Sequence, residues 1–279
     1  MYKEKVRYEY ITVEESLPLF VESVGFNTKE LNFSRASGYP YYHWLQTVEG
    51  EGSFSYDGQE YILSKGRGIL LKPFTPHNYF SKSKEWSTIY VTFGGQSVAS
   101  ILESLNMDSS KMYMNLQEIK SEDIIKEMLM KIESDAEFSR LDLSIYLYNF
   151  IVKLKKYGKM NSQPPLSHLY DKVRHIVEWL EESYGEDITL NDMASKLNVS
   201  SQYLNRLFHH TFKVSPYTFL IQLRIRKAKE ILLEKPDLPL KNIAISTGFN
   251  DVSYFVATFK KREGITPKKY RDIFVRKQE

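Results

Sequence analysis

The stretch 200–210, SSQYLNRLFHH, places Gln202, Asn205 and Arg206 at positions i, i+3 and i+4 of a candidate helix, so the three share one face. These are the side-chain types that read base edges in a DNA major groove. Arginine donates two hydrogen bonds to guanine, and glutamine or asparagine pairs bidentately with adenine. Ser201 and His209 lie beside them on the same outward surface. A solvated polar helix face has a similar composition, so the triplet signifies recognition only if a scaffold presents it to DNA.

Catalytic chemistry finds less support. The chain has no cysteine, which removes disulfides, thiolate metal sites, iron–sulfur clusters and cysteine nucleophiles together. A metal-binding barrel needs three or four converging ligands, whereas His43 in YYHWL and His77 in TPHNY stand far apart in the chain. His209 and His210 are adjacent on a helix and diverge. No Ser/His/Asp spacing, phosphate-binding glycine loop or paired-carboxylate motif occurs, so no cofactor and no metal are expected.

The scaffold for the triplet is visible around it. In 190–210 a short amphipathic helix, a turn at Asn198-Val199-Ser200 and a second helix follow one another, with Ser200 placed to cap the second. Leu190, Met193, Ala194 and Leu197 face inward from the first helix; Tyr203 or Leu204, Leu207 and Phe208 do so from the second. The same grammar recurs over 240–263. There Gly248 permits a positive φ at the turn, Phe249 plugs the gap, Asp251 caps, and Phe255 and Phe259 fill the core. Val252, Ser253 and Ala257 are expected outward, offering few hydrogen bonds to bases. Val252 and Ser253 are the candidate base contacts of this unit. Between the units, 215–233 is long enough for about 28 Å of helix, comparable to the ~34 Å between successive major-groove faces. Arg224 and Lys227 on that helix, with Arg226, Lys229, His209, Lys260, Lys261, Lys268 and Lys269, are candidate phosphate contacts that position rather than read.

Charge agrees with this arrangement. The formal net charge is only +3 over 279 residues, but from Lys196 onward 17 Lys and Arg stand against 7 Asp and Glu. Clustered cations release counterions when they meet phosphates; a solvated helical surface is the bland alternative.

The remainder reads differently. To about residue 115, short alternating runs such as YYHWLQTV and WSTIYVTF are separated by turns, Asp57-Gly58 among them, indicating a barrel or sandwich. In WSTIYVTF, alternation sets Trp86, Thr88, Tyr90 and Thr92 on one face and Ile89, Val91 and Phe93 on the other. An aromatic platform with hydroxyls suits a hydroxylated ligand, and it equally suits ordinary barrel filling. A helical pair follows at about 121–158, with an apolar stripe that fits core packing or dimerisation. Residues 159–167, KMNSQPPLS, read as a linker. No apolar run is long enough to span a membrane, and the charged start MYKEKVRYEY lacks a signal-peptide core. A cytoplasmic protein is expected.

IAISTGFNDVSYFVATFKKREGITPKKYR (243–271), with the first unit through SSQYLNRLFHHTFKVSPYTFLIQLRIRKAKEILL, resembles the signature of the AraC/XylS family of bacterial transcription regulators. Many members carry a basic residue between the two core aromatics of the second reading helix, where this chain has Ala257. That departure shifts the expected sequence readout to the first unit. The segment VEGEGSF…GQEYILSKGRGILLKPFTPHNY…EWSTIYVTF is similar to the family's cupin-like effector domain. This second resemblance implies an effector site at Arg35, His77, Tyr79, Thr88 and Tyr90, with carbohydrate as the preferred effector.

The expected architecture is α+β and multidomain. A cupin-like β-barrel with a helical pair (1–160) binds effector and dimerises, and an all-α domain (168–279) carries two helix-turn-helix units at about 188–210 and 240–263. The expected function is that of a ligand-responsive, sequence-specific DNA-binding regulator rather than an enzyme. It would be an activator of carbohydrate-uptake or carbohydrate-use genes, working as a homodimer with an operator, a sugar and RNA polymerase as partners. A metal-dependent cupin enzyme fused to a DNA-binding domain, and a regulator controlled by a protein partner, stand as alternatives.

Overall fold

A computed structural model of the chain describes residues 5–9, 16–114, 119, 121–135, 138–160 and 166–275. The chain divides into two compact units, Met1–Ser167 and His168–Glu279.

The first unit is built on antiparallel strands: β1 (Lys5–Glu9), β2 (Phe20–Asn27), β3 (Phe33–Arg35), β4 (Tyr42–Glu49), β5 (Glu51–Tyr56), β6 (Gln59–Ser64), β7 (Gly68–Leu71), β8 (His77–Ser81), β9 (Ser87–Gly94), β10 (Lys111–Met114) and β11 (Lys159–Met160). They form one sheet in the order β1-β2-β9-β4-β7-β10-β11 and another in the order β3-β8-β5-β6. The β5–β6 hairpin closes at Asp57-Gly58 with φ of 53° and 72°, the pair of positive values that a two-residue turn requires to match strand twist.

Alternation along β9 separates two cores. Ile89, Val91 and Phe93 pack outward with Trp44, Leu147, Phe150 and Leu154 beneath α2 (Ser121–Ser134) and α3 (Ser139–Tyr157). Tyr90, with Trp86 just ahead of the strand, packs inward with Leu45, Phe54, Leu63, Ile69 and Tyr79 between the two sheets. Two features depart from the sequence reading. A helix, α1 (Val98–Ser104), interrupts the expected run of strands because Val98 and Leu102, one turn apart, bury against the outer core. The expected linker 159–167 begins as a strand, since Lys159 and Met160 pair with β10; residues 161–165 of that linker lie outside the described residues.

The second unit is helical: α4 (Leu166–Ser183), α5 (Leu190–Lys196), α6 (Ser201–Phe212), α7 (Pro216–Glu234), α8 (Leu240–Ser246), α9 (Val252–Glu263) and α10 (Pro267–Val275). Each short helix is started by its own sequence. Thr189 and Asp192 form a reciprocal capping box on α5. Ser200 accepts from the Tyr203 N–H at 3.2 Å, and Asp251 accepts from the Tyr254 N–H at 2.5 Å. Gly248 takes φ of 79° in the α8–α9 turn. Leu204, Leu207, Phe208 and Thr211 are the buried residues of α6. Phe249, Phe255 and Phe259 join Ile225, Ala228 and Leu232 of α7 in a core of this unit's own, so α7 serves as the structural spine under α8 and α9.

Candidate effector pocket and nucleic-acid interface

Between the two sheets of the first unit lies a cavity of about 180 Å³. Arg35, His77, Tyr79 and Tyr90 line it, together with Asn27, Glu30, Phe33, Tyr39, His43 and Thr92. Pairing of β3 with β8 sets Arg35 opposite His77 and Phe33 opposite Tyr79, which is how distant segments converge. Arg35 holds its guanidinium 3.8 Å from the Tyr39 ring centre and 5.0 Å from that of Phe33. It is therefore held by aromatic rings rather than by a carboxylate, and keeps donors for a ligand. Phe33, Tyr79, Phe54 and His77 form a continuous stack with neighbouring centroids 5.3–5.8 Å apart.

Glu30 is the polar anchor. Buried in the wall, its carboxylate accepts from Asn27 Nδ2 at 2.5 Å, from Tyr79 O–H at 3.4 Å and, at short range, from Thr88 Oγ1. Thr88 thus departs from its expected role. It is fully buried and its hydroxyl is committed to Glu30, so it supports the site from behind rather than contacting a ligand. Burial, with the Glu30 carboxylate nearby, raises the Tyr79 pKa and keeps the phenol protonated.

His43 and His77 share this cavity despite their separation in sequence. His77 donates from Nδ1 to the Thr75 carbonyl at 2.8 Å, which leaves Nε2 as an acceptor. His43 Nδ1 lies 2.8 Å from Thr92 Oγ1. Burial, then the neighbouring His77 and Arg35, push the His43 pKa down to about 3. Burial and Arg35 lower that of His77 despite the opposing Thr75 carbonyl. Both imidazoles are neutral near pH 7. Among the described residues no group of three or more His, Cys, Asp or Glu is placed to hold a metal ion. The site presents a cation, the Glu30 carboxylate, neutral donors and acceptors, and aromatic rings. That set matches a small hydroxylated molecule.

Sequence reasoning missed Glu30, Asn27 and Tyr39. Their only signal was an acid and an amide three residues apart in FNTKE; burial of the acid was not legible there.

In the second unit, Gln202, Arg206 and His209 of α6 are exposed, while Ser201 and Asn205 are half-buried. Ser201 donates to Asn191 Oδ1 at 2.8 Å and Asn205 Nδ2 to the Ser201 carbonyl at 3.1 Å. The exposed residues of α9 are Ser253, Tyr254, Ala257, Lys260, Lys261 and Arg262, and Lys268 and Lys269 of α10 are exposed as well. Val252 departs from the expected outward position: it is half-buried and packs on the core of the second unit formed by Ile225, Phe249, Phe255 and Phe259. Tyr254, half exposed, was not anticipated. Arg224 departs furthest. It is 5% exposed, and its guanidinium donates to the carbonyls of Tyr184 (2.8 Å) and Glu186 (2.6 Å), so it is unavailable to phosphate. Lys227 pairs with Glu230 at 2.9 Å, Lys229 with Glu263 at 2.7 Å, and Arg226 with Glu181. The cations of α7 are thus matched to protein acids or carbonyls, while Lys260, Lys261 and Arg262 of α9 and Lys268 and Lys269 of α10 face outward; Arg271 of α10 instead donates to the Leu238 carbonyl at 2.8 Å.

A barrel with a buried polar cavity, followed by two capped helix-turn-helix units with outward cations, defines a ligand-responsive DNA-binding regulator. Residues 24–151 match the AraC-like ligand binding domain, and residues 193–273 match a helix-turn-helix domain. The chain is 26% identical to the lactose operon transcription activator of Staphylococcus xylosus over 85% of its own length and 88% of that protein's. It is 26% identical to the Msm operon regulatory protein of Streptococcus mutans over 80% and 81% of the two chains. Among solved structures, the C-terminal domain of the two-component response regulator yesN from Fusobacterium nucleatum is 40% identical, covering 36% of this chain and 98% of that one, with a TM-score of 0.35. The chain belongs to the AraC family of transcription regulators. No helix among the described residues is long and apolar enough to cross a membrane.

Proposed function

We propose that this protein is a sugar-responsive activator of carbohydrate-use genes, acting in the cytoplasm by binding rather than by catalysis. The observation that carries the effector class is the cavity itself. Arg35 sits beside Tyr39 and Phe33, with an anchored Glu30, the neutral acceptor of His77 and the rings of Tyr79 and Tyr90 lining the same cavity. Fixed donors and acceptors satisfy hydroxyls, and rings cover the apolar face of a pyranose or furanose. The names of the S. xylosus and S. mutans relatives point to regulation of operons, lactose in the first case.

The DNA-reading side chains in this reading are Gln202, Arg206 and, more weakly, Ser201 and Asn205 of α6, with Ser253 of α9. His209, Lys260, Lys261, Lys268 and Lys269 take phosphates, and Tyr254 joins them at the start of α9. RNA polymerase is the downstream partner. The dimer forms along α3, where Leu141, Ile145, Tyr148 and Val152, with Phe138 just ahead of the helix, are exposed at 3-4-3-4 spacing. That is the seam of a coiled coil and fits a second copy of the chain. Effector and seam are connected through one sheet. Tyr90 of β9 lines the cavity while its neighbour Val91 packs in the core that α3 covers. A ligand that favours one arrangement of that strand biases the dimer.

The test is a thermal-shift screen of the full chain against monosaccharides and disaccharides. A sugar at 100 times its Kd raises stability by about 2.7 kcal/mol. Arg35→Ala should abolish that shift and leave operator binding intact. No sugar-induced shift, or an unchanged shift in Arg35→Ala, would refute the assignment.

A further inference from the structure

Arg224 is buried, carries a full charge and has no role in phosphate binding, so its place in the fold requires another account. Three segments meet at its guanidinium. Nε and Nη2 donate to the Tyr184 and Glu186 carbonyls in the loop that leads into the first helix-turn-helix unit. Gly248, in the turn of the second unit, lies on the guanidinium so closely that a Cβ there would stand 2.7 Å from Arg224 Cζ and Nε and 2.6 Å from the Tyr184 carbonyl oxygen. A Cβ on Gly185 would meet the Ser246 carbonyl oxygen at 2.8 Å, so the loop and the turn are packed backbone to backbone. Arg224 itself belongs to α7, the helix that joins the units.

An apolar residue at 224 would leave two loop carbonyls without these donors, and a lysine ammonium does not reproduce a planar fork aimed at two oxygens. We propose that Arg224 is the positioning residue that fixes α9 relative to α6, so that the two units read DNA as one rigid body with one permitted spacing. The proposal rests on the reading that both helices face DNA. If the clamp is lost, each unit keeps its own core and caps, α6 keeps its contacts, and the second unit settles at more than one register along the duplex.

The experiment uses the full chain and a duplex enriched by the wild-type protein from a random-sequence pool. Variants of that duplex carry one base pair inserted or removed between the two contacted segments, or keep the α6 segment alone. For the wild type, a misplaced set of base contacts should lower affinity roughly 5- to 150-fold. Arg224→Met should bind the single-segment duplex within about twofold of wild type but lose most of the spacing penalty. Arg224→Lys, which keeps charge and bulk should Arg224→Met fail to fold, should give an intermediate penalty. A merely structural role would lower the melting temperature and leave the spacing penalty unchanged, and that result in either folded variant overturns the clamp. A wild type that shows no spacing penalty overturns both the clamp and the two-unit reading.

Discussion

Gly52 tests the packing that shapes the effector cavity. A Cβ built at this position would lie 2.3–2.5 Å from the six-membered ring of Trp86, far inside van der Waals contact. Trp86 is fully buried, donates its Nε1–H to Thr47 Oγ1 at 2.9 Å, and meets Tyr79 edge-on at 5.8 Å. Gly52→Ala must therefore displace an indole that has no free direction. Overpacking of a core costs about 1–3 kcal/mol, and a strained or broken buried hydrogen bond adds about 0.5–1.5 kcal/mol. Restricting the unfolded chain returns about 0.4–1 kcal/mol. The net loss is about 0.5–4 kcal/mol, which for a unit of this size lowers the melting temperature by roughly 1–16 °C. Thermal unfolding of wild type, Gly52→Ala, Trp86→Leu and the double variant forms a complete cycle. In the Trp86→Leu background the methyl has room, so Gly52→Ala should cost at least about 1 kcal/mol less there. Equal costs in both backgrounds would refute the steric argument.

Other tests reach the remaining parts of the molecule. Arg206→Ala should weaken binding to the specific operator by about 1–3 kcal/mol while non-specific affinity changes far less; equal losses by fluorescence anisotropy would remove its reading role. His43 is held neutral in the fold, with a pKa of about 3, against ~6.5 in the unfolded chain. The unfolded state gains the proton first, so stability is full above pH ~6.5 and falls as pH drops, by about 2 kcal/mol at pH 5 from this residue. His43→Gln should flatten that slope in urea titrations, and an unchanged slope would exclude His43 as its source. Ile145→Asp should shift sedimentation toward monomer without unfolding the chain, since Ile145 is 69% exposed; an unaltered dimer would place the interface elsewhere.

The cations of α7 show where patterning misleads. A run of Arg and Lys in a DNA-binding unit reads as a phosphate contact surface, yet Arg224, Arg226, Lys227 and Lys229 each have protein partners. Sequence periodicity distinguishes the faces of a helix, but it does not say which face another helix or loop will cover. The same reason explains Thr88: its strand face was legible, whereas its hydroxyl's partner, Glu30, comes from a loop 58 positions away.

Local chemistry by itself determined much of this protein. Ser200 and Asp251 declare helix starts, Asp57-Gly58 a hairpin, Gly248 a tight turn, and alternation in β9 the two faces of a sheet. Each depends on the residue and its near neighbours, through backbone sterics and capping that a short window contains. Only tertiary structure decided which polar groups are spent and which remain free. It set Glu30 against Tyr79, brought His43 and His77 to one cavity, and turned Arg224 from a surface cation into a buried clamp. Those outcomes rest on burial and on partners far away in the chain, and burial is a property of the packed whole.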